Sequence, residues 1–135
     1  ENAWHPGLRR VIDEYELLAA DSSMILLQVF NDLFTLEFGE RSYSIRSMMK
    51  YNESIIEACK TPEVTDAAIV LALQQVIHFK IASYGAVCTY AKILGVYNDG
   101  ELLHQLLDQQ KKLDRKLVAL ADLDIDRKAF NYDRG

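Results

Sequence analysis

The chain has 135 residues, half of them hydrophobic, and a formal net charge of −5. That length carries enough apolar material for a single core, and the acidic balance argues against a nucleic-acid partner. Short apolar runs such as Met24 to Leu27 fall far below the ~18 residues of a membrane span, so no membrane partner is expected and the setting is read as cytoplasmic. The chain begins at Glu1 rather than methionine, so an upstream piece is expected to have been removed, and a cleaved targeting signal is compatible with that start.

From Leu8 onward, Leu8, Val11, Ile12, Tyr15, Leu18, Ala19, Ile25, Val29, Leu33 and Leu36 recur every three or four places, which is the helical period. Pro6 suits a first-turn position. The stretch to Phe38 reads either as one long helix or as two, broken where Asp21-Ser22-Ser23 offers an N-cap, with Gly39 closing it. Arg46 to Lys60, carrying Met48, Met49, Ile55, Ile56 and Cys59, reads as a shorter helix stopped by Thr61-Pro62, because the residue before proline is pushed out of helical geometry.

Thr65-Asp66 then opens the longest helix, through Leu94, with Gly95 as its C-terminal cap. At 1.5 Å per residue it would span about 45 Å. It is apolar on most sides, the pattern of a central helix. Asn98-Asp99-Gly100 reads as a turn and cap before a final helix whose leucines run from Leu102 to Leu120. The expected domain is 1–123, and the tail 124–135, which lacks a period, is expected to be mobile or packed on a partner. No strand signals are present. Short connections between amphipathic helices imply an all-α, antiparallel, up-down bundle. Cys59 and Cys88 fall in helices without a C-x-x-C or Cys/His cluster and read as buried free thiols.

Three stretches carry a resemblance. They are Pro62-Glu63-Val64-Thr65-Asp66-Ala67-Ala68-Ile69, Gln74-Gln75-Val76-Ile77-His78-Phe79-Lys80-Ile81-Ala82-Ser83-Tyr84-Gly85, and Leu106-Leu107-Asp108-Gln109-Gln110-Lys111-Lys112-Leu113-Asp114. Together they resemble the bacterial YciF/YciE-like family (DUF892) of ferritin-like proteins, over roughly residues 46–120. The resemblance implies a ferritin-like antiparallel four-helix bundle, with or without one additional short helix. In that family the central helix reads E-H-Y-E-I-A-x-Y-G and the last helix carries E-E-K, so that glutamates and a histidine can surround two metal ions. Here Ile77 and Lys80 stand at the first pair of acidic positions, Gln109 and Gln110 stand at the second, and His78 is retained. Met24, with Ser22, Ser23 and Ile25, occupies the early helix where inward acids would be needed.

A bundle di-iron site draws a glutamate from each of two helices and a Glu-x-x-His pair from each of the others. A neutral amide is a weak ligand for ferrous or manganous ion, and an ammonium repels it. The vestigial site is therefore read as Gln74, His78, Gln109 and Gln110, with no metal, cofactor or catalytic residue expected. His78 could be a vestigial ligand, a ligand with new partners or a hydrogen-bonded core group, the last being favoured, with Gln109 and Gln110 meeting it across the bundle. Lys80 would snorkel outward or pair with Glu101 or Asp108. His5 and His104 read as surface residues. No nucleophile elbow or phosphate loop is present, and Glu14 and Glu16, two apart, cannot face each other on a helix. Lys111, Lys112, Arg115 and Lys116 alternate with acids and read as a solvated face.

Three functions follow as expectations. The first is a non-enzymatic ferritin-like bundle that has lost its metal chemistry, with the stress association implied by the resemblance. The second is an iron- or manganese-dependent oxidase or storage protein that recruits Glu14, Glu16, Glu37 or Asp108 around His78. The third is a helical interaction module or homodimer, motivated by a helix fewer than the family's usual length and by the aromatics Trp4, Phe38, Tyr43, Phe130 and Tyr132, with an unknown protein partner as the other way to cover them.

Overall fold

The computed structural model describes residues 3–32 and 43–132, and no strand occurs among them. These residues form α1 (Pro6–Asp32), α2 (Tyr43–Ala58), α3 (Pro62–Leu94), α4 (Tyr97–Leu120), one π-helical turn (Ala121–Ile125) and α5 (Asp126–Tyr132). Cross-links between helices give the directions. His5 meets Asp124 and Glu14 meets Lys116, so α1 runs antiparallel to α4. Trp4 meets Asp66 and Tyr15 meets Lys80, so α1 runs parallel to α3. Short turns reverse the chain between α2 and α3 and between α3 and α4. The result is an all-α up-down-up-down bundle built around the α3–α4 hairpin, with α1 on α4 and α2 on α3.

The helix limits have local causes. α1 runs unbroken through Asp21-Ser22-Ser23 because the two serines do not cap. Ser22 Oγ donates to the Leu18 carbonyl at 2.7 Å and Ser23 Oγ to that of Ala19 at 3.0 Å, bonds that lie along a continuing helix. The closure expected at Gly39, and the residues Leu33, Leu36 and Phe38, lie outside the described residues. α3 starts at Pro62, three residues before the expected Thr65. Thr61 is its N-cap, accepting the Val64 N–H on Oγ1 at 3.3 Å, and proline fills the first turn where no N–H is needed. Gly95 ends α3 in the left-handed region, at φ 72°, where a side chain would be strained. Asn98-Asp99-Gly100 is not a turn before α4 but part of its first turn, since α4 begins at Tyr97.

By length and composition α3 is long and apolar enough to cross a membrane. Here it lies against α2, α4, the π turn and α5, the place of a central helix. Its Ile69, Val70 and Ile77 join Leu8 and Val11 of α1 and Leu113 and Leu117 of α4 in one buried cluster.

The tail does not leave the fold at residue 124. Ile125 is only 2% exposed and belongs to that same cluster, together with Ala121. Positions four apart on an α-helix drift around its axis by about 40°. The wider π turn takes up this drift, so Leu117, Ala121 and Ile125 stay on one inward stripe and α5 lies against α3. Residues 133–135 lie outside the described residues.

The same turn fastens the N-terminus. Asp66, buried on α3, accepts the N–H groups of Trp4 and His5 at 2.7 Å each. His5 Nδ1 accepts the Gly7 N–H at 3.1 Å, which leaves Nε2 to meet Asp124 Oδ2 at 2.6 Å. Lys128 reaches the same carboxylate at 2.8 Å. His5 is therefore a tether between two ends of the chain rather than an idle surface group. A side chain at position 7 would press within 3.0 Å of both the His5 ring and Leu120, so glycine stands there.

Ile125→Ala should lower the unfolding free energy by about 2–5 kcal/mol in urea. Leu123→Ala, two residues away and exposed, should change it by less than about 0.5 kcal/mol; equal effects would contradict the buried tail. The Asp124 carboxyl is held below its usual range, first by the Lys128 hydrogen bond and then by that of His5. A carboxyl with a depressed folded pKa stabilises above its unfolded pKa, and that contribution is lost as pH falls through the folded value. Asp124→Asn should therefore be less stable than the parent near neutrality, and the gap should close below about pH 4. A pH-independent gap would rule out the tether.

Candidate functional site

Of the positions that the resemblance makes acidic, Ile77 and Lys80 lie on α3 and Gln109 and Gln110 on α4. Ile77 is fully buried in the apolar cluster with Leu113 and Leu117. One turn on, Lys80 Nζ donates to Tyr15 Oη at 2.9 Å, crossing from α3 to α1, and lies 4.7 Å from the centre of the Tyr15 ring. Lys80 pairs with neither Glu101 nor Asp108, because it faces α1, whereas those two acids are exposed on α4. A further turn along α3, burial pushes the Tyr84 phenol up, Tyr15 adds to the shift, and the buried Ser22 hydroxyl opposes it. Lys80, Tyr15, Tyr84 and Ser22 thus form a ladder of cation and hydroxyls along the α1–α3 seam.

On α4, Gln110 is 0% exposed, on the inward stripe between Leu106 and Leu113. Neither its Oε1 nor its Nε2 has a hydrogen-bond partner among the described residues, and the same holds for Gln109 Oε1. His78 does not join them. Its side chain is 63% exposed, and Nε2 lies 2.8 Å from Asp114 Oδ1 on the α3–α4 seam. Adjacent helical positions lie about 100° apart, so once Ile77 faces the core, its neighbour His78 faces away. The expected buried imidazole, and its cluster with Gln74, Gln109 and Gln110, is therefore not formed. Gln74 is half-buried one turn before His78, on that outer face.

The acids considered as substitute ligands are elsewhere. Glu14 is held by Lys116 at 2.5 and 2.7 Å, Glu16 and Asp108 are exposed, and Glu37 lies outside the described residues. No group of three or more His, Cys, Asp or Glu side chains that could hold an ion converges among the described residues. Against the reading that no E-x-x-H spacing occurs in the chain, Glu101-Leu102-Leu103-His104 has it. Both side chains are exposed, at the rim of a cleft that also touches Cys88 and Tyr97. Burial pushes the Cys88 thiol up, with Lys92 and Lys111 opposing. Cys59 lies just past α2 and is half-buried, as is Cys88; both are free. Sequence reasoning missed the roles of Tyr15, Ser22 and Tyr84. Their signal was present, since Tyr15, Leu18 and Ser22 continue the inward spacing of Leu8 and Val11.

A buried amide without partners costs about 1–3 kcal/mol relative to an apolar group of the same shape. Gln110→Leu should therefore match or exceed the parent in thermal stability. A loss above about 1 kcal/mol would show that Gln110 is bonded to something in solution.

The model of the DUF892 family, described as a domain of unknown function, matches residues 1–130. Protein YciF of Escherichia coli (strain K12) is 36% identical over 88 residues, which are 65% of this chain and 53% of YciF. The chain thus spans about half the length of that curated relative. The solved structure of YcfI from Rhodopseudomonas palustris, proposed to be a structural protein, matches with a TM-score of 0.82 at 27% identity, over 86% of this chain and 74% of its own. The bundle is ferritin-like, and the chain belongs to the DUF892 family as a YciF-like member.

Proposed function

We propose that this chain is a non-catalytic ferritin-like scaffold in which the di-metal cradle has been replaced by a lysine–tyrosine bridge and neutral amides. The observation that carries the reading is the bond from Lys80 Nζ to Tyr15 Oη at 2.9 Å. It puts an ammonium at an inward position where the family motif has a carboxylate. The fit test turns on donor chemistry. A divalent ion needs charged oxygens or imidazole, and these positions supply an ammonium, the alkyl group of Ile77 and two amides. The residues do not fit a di-metal centre, and no reaction step is assigned to one. The structural role proposed for YcfI supports the same reading. The family resemblance is the ground for proposing a stress-associated role, and the composition that for a cytoplasmic setting.

The scaffold is proposed to act as a homodimer. Tyr90, Ile93, Leu94 and Tyr97 crowd the α3–α4 turn and are between 61% and 75% exposed. Apolar surface collected in one place is the mark of an association site. Among the aromatics expected to be exposed, Trp4 and Phe130 are so. Phe38 and the side chains of Tyr43 and Tyr132 lie outside the described residues.

Protein produced with iron and manganese supplied should contain far less than one ion per chain, and His78→Ala should leave that content unchanged. Near-stoichiometric tightly bound metal, lost in His78→Ala, would overturn the reading in favour of an oxidase or storage protein. Sedimentation at micromolar concentration should give a dimer that Leu94→Glu dissociates; a monomer would remove the proposed interface.

A further inference from the structure

Among the described residues α1 packs chiefly on α4 and α2 on α3. Between α1, α2 and α3 lies a groove of about 430 Å³, lined by Met49, Ile56, Ile69, Leu73, Val76 and Tyr15. That volume falls in the range of small-molecule sites, which run from about 300 to 1,000 Å³.

One polar group in this wall lacks a partner. Asn52 is only 5% exposed, and its Nδ2 has no hydrogen-bond partner among the described residues. A half-turn of the amide exchanges its oxygen and nitrogen without moving its neighbours, so the free donor can face into the groove. The Tyr15 hydroxyl oxygen accepts from Lys80 and its own O–H remains a donor, whereas the Asn52 amide nitrogen has no partner among the described residues. Glu53 and Glu57, one turn apart on α2, line the groove as exposed carboxylates and repel an anionic occupant.

We propose that this α1–α2–α3 groove binds an uncharged, mostly apolar small molecule that presents a hydrogen-bond acceptor to Asn52. The apolar walls supply the affinity, Asn52 orients the molecule by its carbonyl or ether oxygen, and the two glutamates exclude fatty-acid carboxylates and phosphates. The groove shares Tyr15 with the lysine–tyrosine bridge, but the amide that orients the occupant, Asn52, lies outside that bridge, so Asn52→Leu tests this site without touching it.

The test is a fluorescence titration of the full chain with Nile red, an uncharged dye with a ring carbonyl. One saturable site per chain is expected. Asn52→Leu keeps the side-chain size and removes the unpartnered amide, so it should fold and weaken binding about fivefold or more. Ala72→Trp, which fills the groove, should abolish the saturable phase at unchanged helical circular dichroism; if that variant misfolds, Asn52→Leu still decides. Absence of saturable binding, or binding indifferent to Asn52→Leu, would overturn the proposal. So would a parent that excludes the dye and a groove-filled variant that sediments as a monomer, since a second copy of the chain would then occupy the groove.

Discussion

An ammonium resting on a phenol sets the interior of this bundle. Lys80 reaches from α3 to Tyr15 on α1, donating to the hydroxyl and lying near the ring, so one side chain satisfies a charge and fixes the register of two parallel helices. A cation so placed gains from the ring quadrupole as well as from the hydrogen bond. A cation at this place opposes the gathering of divalent ions, because like charges at close range repel strongly where water is scarce, and the proposed scaffold rests on that. Around it the ladder continues in neutral groups, Tyr84 and Ser22, while Ile77 turns the adjoining position over to apolar packing with Leu113 and Leu117.

The remainder of the structure holds that seam in place. α1 is fastened at its start by Asp66 and by the His5 bridge to Asp124, and along its length by the bond between Glu14 and Lys116. The last of these is exposed and contributes little to stability. The N-terminal bonds matter more, since Asp66 is buried and receives two backbone donors. The π turn makes this arrangement possible, carrying Ile125 inward and presenting Asp124 to His5 within one turn.

Much of the fold was legible in the sequence, and the reasons are local. Gly95 announced a left-handed cap, Thr61-Pro62 announced a boundary, and the leucine spacing of α4 survives as its buried stripe. The N-terminal limit of α3 was misplaced because a threonine cap followed by proline starts a helix as readily as it stops the preceding one. The unbroken α1 was not decidable from composition, because a serine can cap a helix or bond back along it. Ile125 was hidden because steps of four drift off an α-helical stripe, and it is the π turn that returns them to it. At the candidate site, the absence of acids at positions 77, 80, 109 and 110 could be read directly. The direction of His78 could not be read from motif position alone. It followed once Ile77 was known to face the core, since one step along a helix turns a side chain to another face.

Buried Gln110 and half-buried Gln109 carry amide atoms without a hydrogen-bond partner among the described residues, which the proposed scaffold reads as remnants of a polar interior. Their unpartnered atoms are a cost that apolar packing around them offsets, not a source of stability. We propose that the stability of the bundle owes nothing to bound ions, and linkage gives the sharpest test. An ion that binds only the folded chain, at one hundred times its Kd, raises the unfolding free energy by about 2.7 kcal/mol. The denaturation midpoint of the metal-stripped chain should be the same in chelator as in excess manganous or anaerobic ferrous ion. A shift of the midpoint to higher denaturant with either ion would contradict the account.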